Sequence, residues 1–320
     1  MTEIYIPHSG GLAERRLSLD EFQDVRTPYT GKMKYLHSVS ELKMVPPSHK
    51  GCPRKWALMY LAKLPKIPNQ ALIDGILLHQ CINEWFAGGR DAWTAKWMTS
   101  WLSQTGREMR WYAQLAQAVL RHVPDTERAK GISEATYFFE IPELDTALYI
   151  KPDWLTWKRF RDWKSSAATT KTSPWVLQQP EWWLQKPMPE DRYTITNDIQ
   201  SRVYAHGLMQ LLGWDVIDAS WVYGSKKFKP SETVKTWTCE ARFERDETRR
   251  WVETNVWPMI EWMNHVKDAF SEGRIDSPLL VPHNSKACEG IGKFCDAFST
   301  CRLYQSPIPL RAVTLPVIQR

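Results

Sequence analysis

Residues 146–164 read TALYIKPDWLTWKRFRDWK, and this stretch decides the fold class. Hydrophobic alternation predicts three consecutive strands over 134–141, 146–154 and 157–163, with turns at Pro142-Glu143 and near Thr156. Asp153 then ends one strand, and Asp162 and Lys164 sit two apart on the next. A strand period of two puts Asp162 and Lys164 on one face and Trp163 on the other. Two carboxylates and an ammonium would converge at one end of a hairpin. Two hard oxygen ligands suit Mg²⁺ or Mn²⁺. A neighbouring lysine can orient a water or stabilise charge on a phosphate. A solvated hairpin with a surface ion pair would carry the same three residues, and the stretch alone does not separate the two.

Upstream, the pattern is helical. Ser38-Val39-Ser40-Glu41 has the form of a capping box, and Cys52-Pro53-Arg54-Lys55 opens a helix with proline just inside its start. A strong helix is expected from about Gln70 to Phe86, with Leu72, Ile73, Ile76, Leu77, Cys81 and Trp85 as its apolar face. Gly88-Gly89 should stop it. Residues 91–122 read as one or two further helices. Downstream, a polar loop from Ser165 to Pro189 precedes a helix from Asn197 to Leu212, closed by Gly213. Strands at 216–223 and 234–243 form a hairpin around the basic loop of Lys226, Lys227 and Lys229. One long amphipathic helix covers 246–270. The order of elements predicts a mixed α/β core with helical decoration.

With 320 residues, 43% of them apolar and 24% charged, the composition excludes a wholly disordered or collagen-like chain. Tryptophan is over-represented at 18 residues, without a repeat period. No apolar run approaches the roughly 20 residues of a membrane span, and the N-terminus lacks a secretory pattern, so a cytoplasmic chain with no membrane partner is expected. The net charge of +6 hints at a polyanionic partner. Six cysteines are too few for a disulfide scaffold. Cys288, Cys295 and Cys301 nevertheless crowd near the C-terminus. With Cys52 they make four thiolates, a set suited to tetrahedral Zn²⁺ or to a [4Fe–4S] cluster, which spacing does not distinguish. Cys81 and Cys239 read as core residues. His79 lies among apolar residues on its helix, where a histidine is more often a satisfied core group than a ligand. Gln200 and Tyr204 share a helix face.

Together these motifs resemble the PD-(D/E)xK nuclease superfamily. Pro152-Asp153, eight residues, then Asp162-x-Lys164 is similar to its signature. Gly75-x-x-x-His79 before it, Gln200-x-x-x-Tyr204 after it, and Cys52-Pro53-Arg54-Lys55-Trp56 resemble motifs of the RecB-like exonuclease branch. The resemblance covers about residues 38–304. It implies a restriction-endonuclease-like mixed sheet core at 69–272, and divalent-metal ligation by His79, Asp153, Asp162 and the Trp163 carbonyl. It also implies catalysis by Lys164 with Asp153 and Asp162, and an accessory motif of Gln200 and Tyr204 near DNA.

The four cysteines are similar to the iron–sulfur staple of the AddAB nuclease and of CRISPR-adaptation RecB-like nucleases, although Cys288 and Cys295 are further apart than the C-x2-C usual there. That likeness implies a cluster subdomain built from 35–68 and 273–306, between an arm at 1–34 and a tail at 307–320. Arg54, Lys55, Lys293 and Arg302 flank the cysteines and could touch phosphates, or simply be solvated helix ends. The expected activity is metal-dependent exonuclease action on single-stranded DNA or DNA ends, with a helicase or recombinase as protein partner. The competing expectations are a DNA-end-binding module with little or no cleavage and a zinc-stabilised structural protein. Trp182 and Trp183 are candidate base-stacking residues.

Overall fold

The change of hydrophobic period near residue 130 marks the passage from helices to a sheet. The computed structural model describes residues 4–6, 15–17, 31–45, 51–64, 70–87, 90–124, 127, 130–166, 195–229, 231–282 and 301. In chain order the elements are β1 (Ile4–Ile6), β2 (Arg15–Leu17), β3 (Tyr35–Ser38), α1 (Val39–Leu42), α2 (Pro53–Tyr60), α3 (Gln70–Ala87), α4 (Arg90–Trp97), α5 (Met109–Leu120), β4 (Ile132–Ser133), β5 (Tyr137–Ile141), β6 (Thr146–Ile150), β7 (Trp154–Thr156), β8 (Arg159–Ser166), α6 (Ile199–Leu212), β9 (Val216–Ser225), β10 (Thr236–Glu244), α7 (Arg245–Asn255) and α8 (Trp257–Ser271). The chain divides into two compact units. One joins Met1–Tyr29, Pro68–Phe139 and Ile150–Arg249; the other joins Thr30–Ile67, Glu140–Tyr149 and Arg250–Arg320. Among the described residues no helix is long and apolar enough to cross a membrane.

The first unit is built on a five-stranded sheet in the order β10-β9-β8-β7-β4. Only β8 and β9 run parallel; the other pairs are antiparallel. A parallel pair needs a crossover, and α6 lies in the connection between β8 and β9. Helices α3, α4 and α5 bury Leu78, Cys81, Ile82, Trp93, Trp97, Tyr112, Leu115 and Val119 in one core with Trp154, Trp163 and Val222 of the sheet. Each fully buried large apolar side chain there contributes about 1.5–3 kcal/mol. Trp163 points into this core. Phe160, on the opposite face of β8, meets Tyr204 of α6 at 5.9 Å between ring centroids. Helix α6 is capped at its start by Asp198, whose side chain accepts from the Gln200 and Ser201 amides, and at its end by Gly213 with φ 68°. It lies close to β5 because Gly207 has no side chain: a Cβ there would sit 2.6 Å from the Phe139 ring.

The second unit pairs β3 in parallel with β6. Ser38 caps α1 by accepting from the Glu41 amide, as its capping-box form predicts. The buried His37 joins these elements to α8 through Asn264, 2.8 Å away, and Asn264 in turn donates to Thr146 at 2.8 Å. Trp56 packs on Trp262 at 5.5 Å.

Three sequence expectations need correction. The strand expected over 146–154 stops at Ile150, since Pro152 has no N–H to continue a ladder, and the chain turns before β7. The single helix expected over 246–270 is two, α7 and α8, with Pro258 in the first turn of the second. The buried side of α3 is Asp74, Leu78, Cys81 and Ile82, while Leu72 and Ile76 are exposed. Asp74 can face inward because Tyr112 Oη donates to it at 2.8 Å and Arg107 Nε at 3.2 Å. Cys81 and Cys239 are buried, as expected of core residues. Gly88-Gly89 lies outside the described residues.

Candidate active site

The turn at Lys151-Pro152-Asp153 is braced from two sides. Tyr204 Oη donates to the Lys151 carbonyl at 3.0 Å, and the Glu134 amide donates to the Asp153 carbonyl at 3.1 Å. The Trp163 amide donates to Asp153 Oδ2 at 2.7 Å, which ties the carboxylate to β8. Asp162 leaves β8 on the face opposite Trp163. Its Oδ2 pairs with Lys164 and accepts from Gln200 Nε2 at 3.0 Å, while Lys164 Nζ also reaches Gln200 Oε1 at 3.4 Å. His79 on α3 completes the group. Its Nδ1 is 3.1 Å from Asp153 Oδ1 and 3.8 Å from Glu134 Oε1, and its Nε2 is 3.2 Å from the Trp163 carbonyl.

Both nitrogens of His79 therefore face oxygen acceptors, an arrangement that an imidazolium satisfies. Burial opposes that charge, but Asp153, Glu134 and Asp162 together outweigh it and lift His79 to about 10. Asp153 and Asp162 are almost fully buried, at 7% and 3% exposure. Burial raises Asp153 well above the usual carboxylate range, and the neighbouring charge of Asp162 raises it further. Burial also opposes ionisation of Asp162, yet Lys164 holds its carboxyl below that range. Burial disfavours the Lys164 ammonium, but Asp162, Asp153 and Asp198 together more than offset it, so the ammonium stays charged. Glu134, beside His79 and paired with Lys151 at 2.6 Å, falls to about 2.

The donor set fits a divalent cation. One ligand atom each from His79, Glu134 and Asp153 lies within 4.8 Å of the others, so the three could hold a metal ion. Two buried carboxylates forced together cost free energy that a dication would offset. Glu134 was not among the residues singled out from the sequence. It follows the two-residue β4 at φ 50°, a left-handed conformation that no periodicity announces.

Of the residues singled out from the sequence, His79, Asp153, Asp162, Trp163, Lys164 and Gln200 come together in this site. Tyr204 is buried behind it and braces its turn. Arg54 and Lys55 lie on α2 of the other unit. Arg54 Nε donates to the Val281 carbonyl at 2.9 Å, and its Nη1 lies 3.8 Å from Cys301 Sγ. That brings Cys301 to the first turn of α2, where Cys52 is the N-cap residue. Cys288, Cys295, Trp182, Trp183, Lys293 and Arg302 lie outside the described residues.

The sequence matches no protein-family profile and no curated protein. Among solved structures the chain is similar to a candidate exonuclease from Eubacterium rectale. The identity is 14%, with 84% of this chain and 87% of that chain covered, at a TM-score of 0.51. LHK-Exo in complex with dAMP is 15% identical, with 73% of this chain and 89% of that chain covered, at a TM-score of 0.35. The first likeness is one of fold: a mixed α/β architecture with an open sheet and flanking helices.

Proposed function

We propose that this chain is a metal-dependent deoxyribonuclease of the RecB-like PD-(D/E)xK branch, an exonuclease that hydrolyses phosphodiester bonds of single-stranded DNA or DNA ends. The observation that carries this reading is the convergence of His79, Asp153, Asp162 and Lys164 at the end of β7 and β8. The fold likeness to a candidate exonuclease supports it.

His79, Asp153, Asp162 and the Trp163 carbonyl would hold Mg²⁺ or Mn²⁺, with Glu134 as a further carboxylate ligand. The ion, when bound, polarises the phosphodiester and lowers the pKa of a water. Lys164 would leave its pairing with Asp162 to hold the attacking water or to meet charge growing on the phosphate. Gln200 spans Asp162 and Lys164 and would keep both in register near the DNA. Tyr204 would act through the backbone of the Asp153 turn.

Cys52, Cys288, Cys295 and Cys301 are proposed to bind one [4Fe–4S] cluster, with Zn²⁺ as the alternative occupant. The proximity of Cys301 to the first turn of α2 supports this set. Arg54 and Lys55 are proposed to reach DNA phosphates from that turn, the reaction to be cytoplasmic, and a helicase or recombinase to be the protein partner.

The test is digestion of single strands labelled at the 5′ or the 3′ end, with Mn²⁺ and with chelator. Metal-dependent release of nucleotides from one end is expected. Intact strands in both conditions, with metal bound, would overturn the nuclease reading.

A further inference from the structure

The sheet face that carries Asp162 and Lys164 continues past them. In the parallel ladder Asp162 stands beside Trp221 and Lys164 beside Tyr223, and in the next ladder Tyr223 stands opposite Trp237. Residues paired in this way share a face of a sheet. The rings form a connected row. Lys164 Nζ lies 5.5 Å from the Trp221 ring centroid. Trp221 meets Tyr223 edge-on at 6.4 Å, and Tyr223 stacks on Trp237 at 5.2 Å with only 4° between the planes. Trp221 is buried, whereas Tyr223 and Trp237 are half-exposed. Helix α6 reaches Lys164 with Gln200 in its first turn and Phe160 with Tyr204 one turn on. The helix therefore runs back from Lys164 along β8, away from the ends of the strands where Tyr223 and Trp237 lie.

The turn that follows Tyr223 and precedes Trp237 is basic. Lys227, Lys229 and Lys235 are exposed and Lys226 is half-exposed, against one acidic residue, Glu232. A flat aromatic stack beside a run of ammonium groups has a chemical counterpart in a polymer that alternates π-faces with phosphates. An apolar peptide would leave the lysines uncompensated. A duplex hides its base faces within its own stack, so only unpaired bases can use such a platform.

We propose that Trp237 and Tyr223 form a base-stacking subsite for single-stranded DNA next to the catalytic group, with Lys226, Lys227, Lys229 and Lys235 holding the phosphates that lead to it. This deepens the nuclease reading and rests on it for the identity of the neighbouring site. A strand docked here would carry its bases across the β9–β10 pair and its backbone toward Lys164. The enzyme would thereby select unpaired ends over paired ones.

The test is fluorescence anisotropy in EDTA, where binding is read without cleavage. Three probes of equal length are compared: an oligothymidylate, an abasic strand and a blunt duplex. Loss of one stacking contact is expected to weaken oligothymidylate binding about 5- to 150-fold in Trp237→Ala. The abasic strand and the duplex should change less than about twofold, since neither presents a base face. Trp237→Phe should bind as wild type, and Tyr223→Leu gives a second variant should Trp237→Ala fold poorly. Replacing Lys226 and Lys227 by alanine should lower the salt dependence for all three probes. Equal affinity of wild type, Trp237→Ala and Tyr223→Leu for oligothymidylate would overturn the proposal, as would equal losses on oligothymidylate and abasic strand. Cleavage in a separate Mn²⁺ assay keeps the two readings apart. A chain that cleaves but ignores Trp237 refutes the subsite alone, and one that binds through Trp237 but never cleaves refutes the nuclease reading alone.

Discussion

Binding of Mn²⁺ at the proposed site should release protons, and their number follows from the protonation of His79. Both ring nitrogens of His79 point at oxygen acceptors, and His79 is lifted to about 10. It therefore carries a proton at neutral pH that a coordinating nitrogen has to give up. Each displaced proton makes affinity rise about tenfold per pH unit, or about 1.4 kcal/mol. From pH 6 to pH 8 His79 alone predicts about a 100-fold gain, near 2.7 kcal/mol. Asp153, raised by burial and by Asp162, adds a second proton at the acid end and steepens the slope there. Titration calorimetry in two buffers of different ionisation enthalpy counts the protons directly. At least one per Mn²⁺ is expected at neutral pH, and His79→Asn should remove one. Affinity that stays flat across this range, with no proton released, would refute the reasoning.

Other consequences can be measured independently. His206, buried against Phe139, is pushed down by burial, with Arg249 adding to it, to about 4 from 6.5. A histidine held neutral in the fold binds its proton more readily when unfolded, so its contribution is complete above 6.5 and lost as pH falls toward 4. The loss should approach roughly 3 kcal/mol in urea melts and should vanish in His206→Gln. Gly207→Ala drives a methyl group toward the Phe139 ring and should cost about 1–3 kcal/mol in the same melts; an unchanged midpoint would mean that α6 does not approach β5 this closely. Cys52→Ser should bleach a brown, anaerobically purified protein and lower its iron content, whereas Cys81→Ser should do neither. A colourless wild type holding one zinc would reject the cluster and leave the nuclease reading intact.

Much of this site was legible because it rests on strand alternation. Asp162 and Lys164 two apart had to share a face, and the buried Trp163 between them marks the other. The helix carrying Gln200 was legible for a similar reason, its end being marked by Gly213 and its start lying two residues from the expected Asn197. Features that depend on distant partners were not legible. Glu134 reaches the site through one left-handed residue, and only the folded chain brings it to His79. The buried side of α3 was misjudged because Asp74 looks solvent-seeking until Arg107 and Tyr112, 33 and 38 residues later, satisfy it. The Tyr223–Trp237 stack joins strands whose register depends on the hairpin between them, and a tryptophan count could not show which rings would meet.

The central claim is that Asp153, Asp162 and Lys164 form a working hydrolytic site rather than a structural ion-pair cluster. Single-turnover cleavage of an end-labelled single strand in Mn²⁺, comparing wild type with Lys164→Met, tests it most directly. Loss of a charge-stabilising group predicts a rate at least about 100-fold lower. Mn²⁺ and DNA affinity measured on the same samples should stay within about threefold, since the carboxylates and the base platform remain. Cleavage by Lys164→Met at the wild-type rate, with metal and DNA bound alike, would contradict the account.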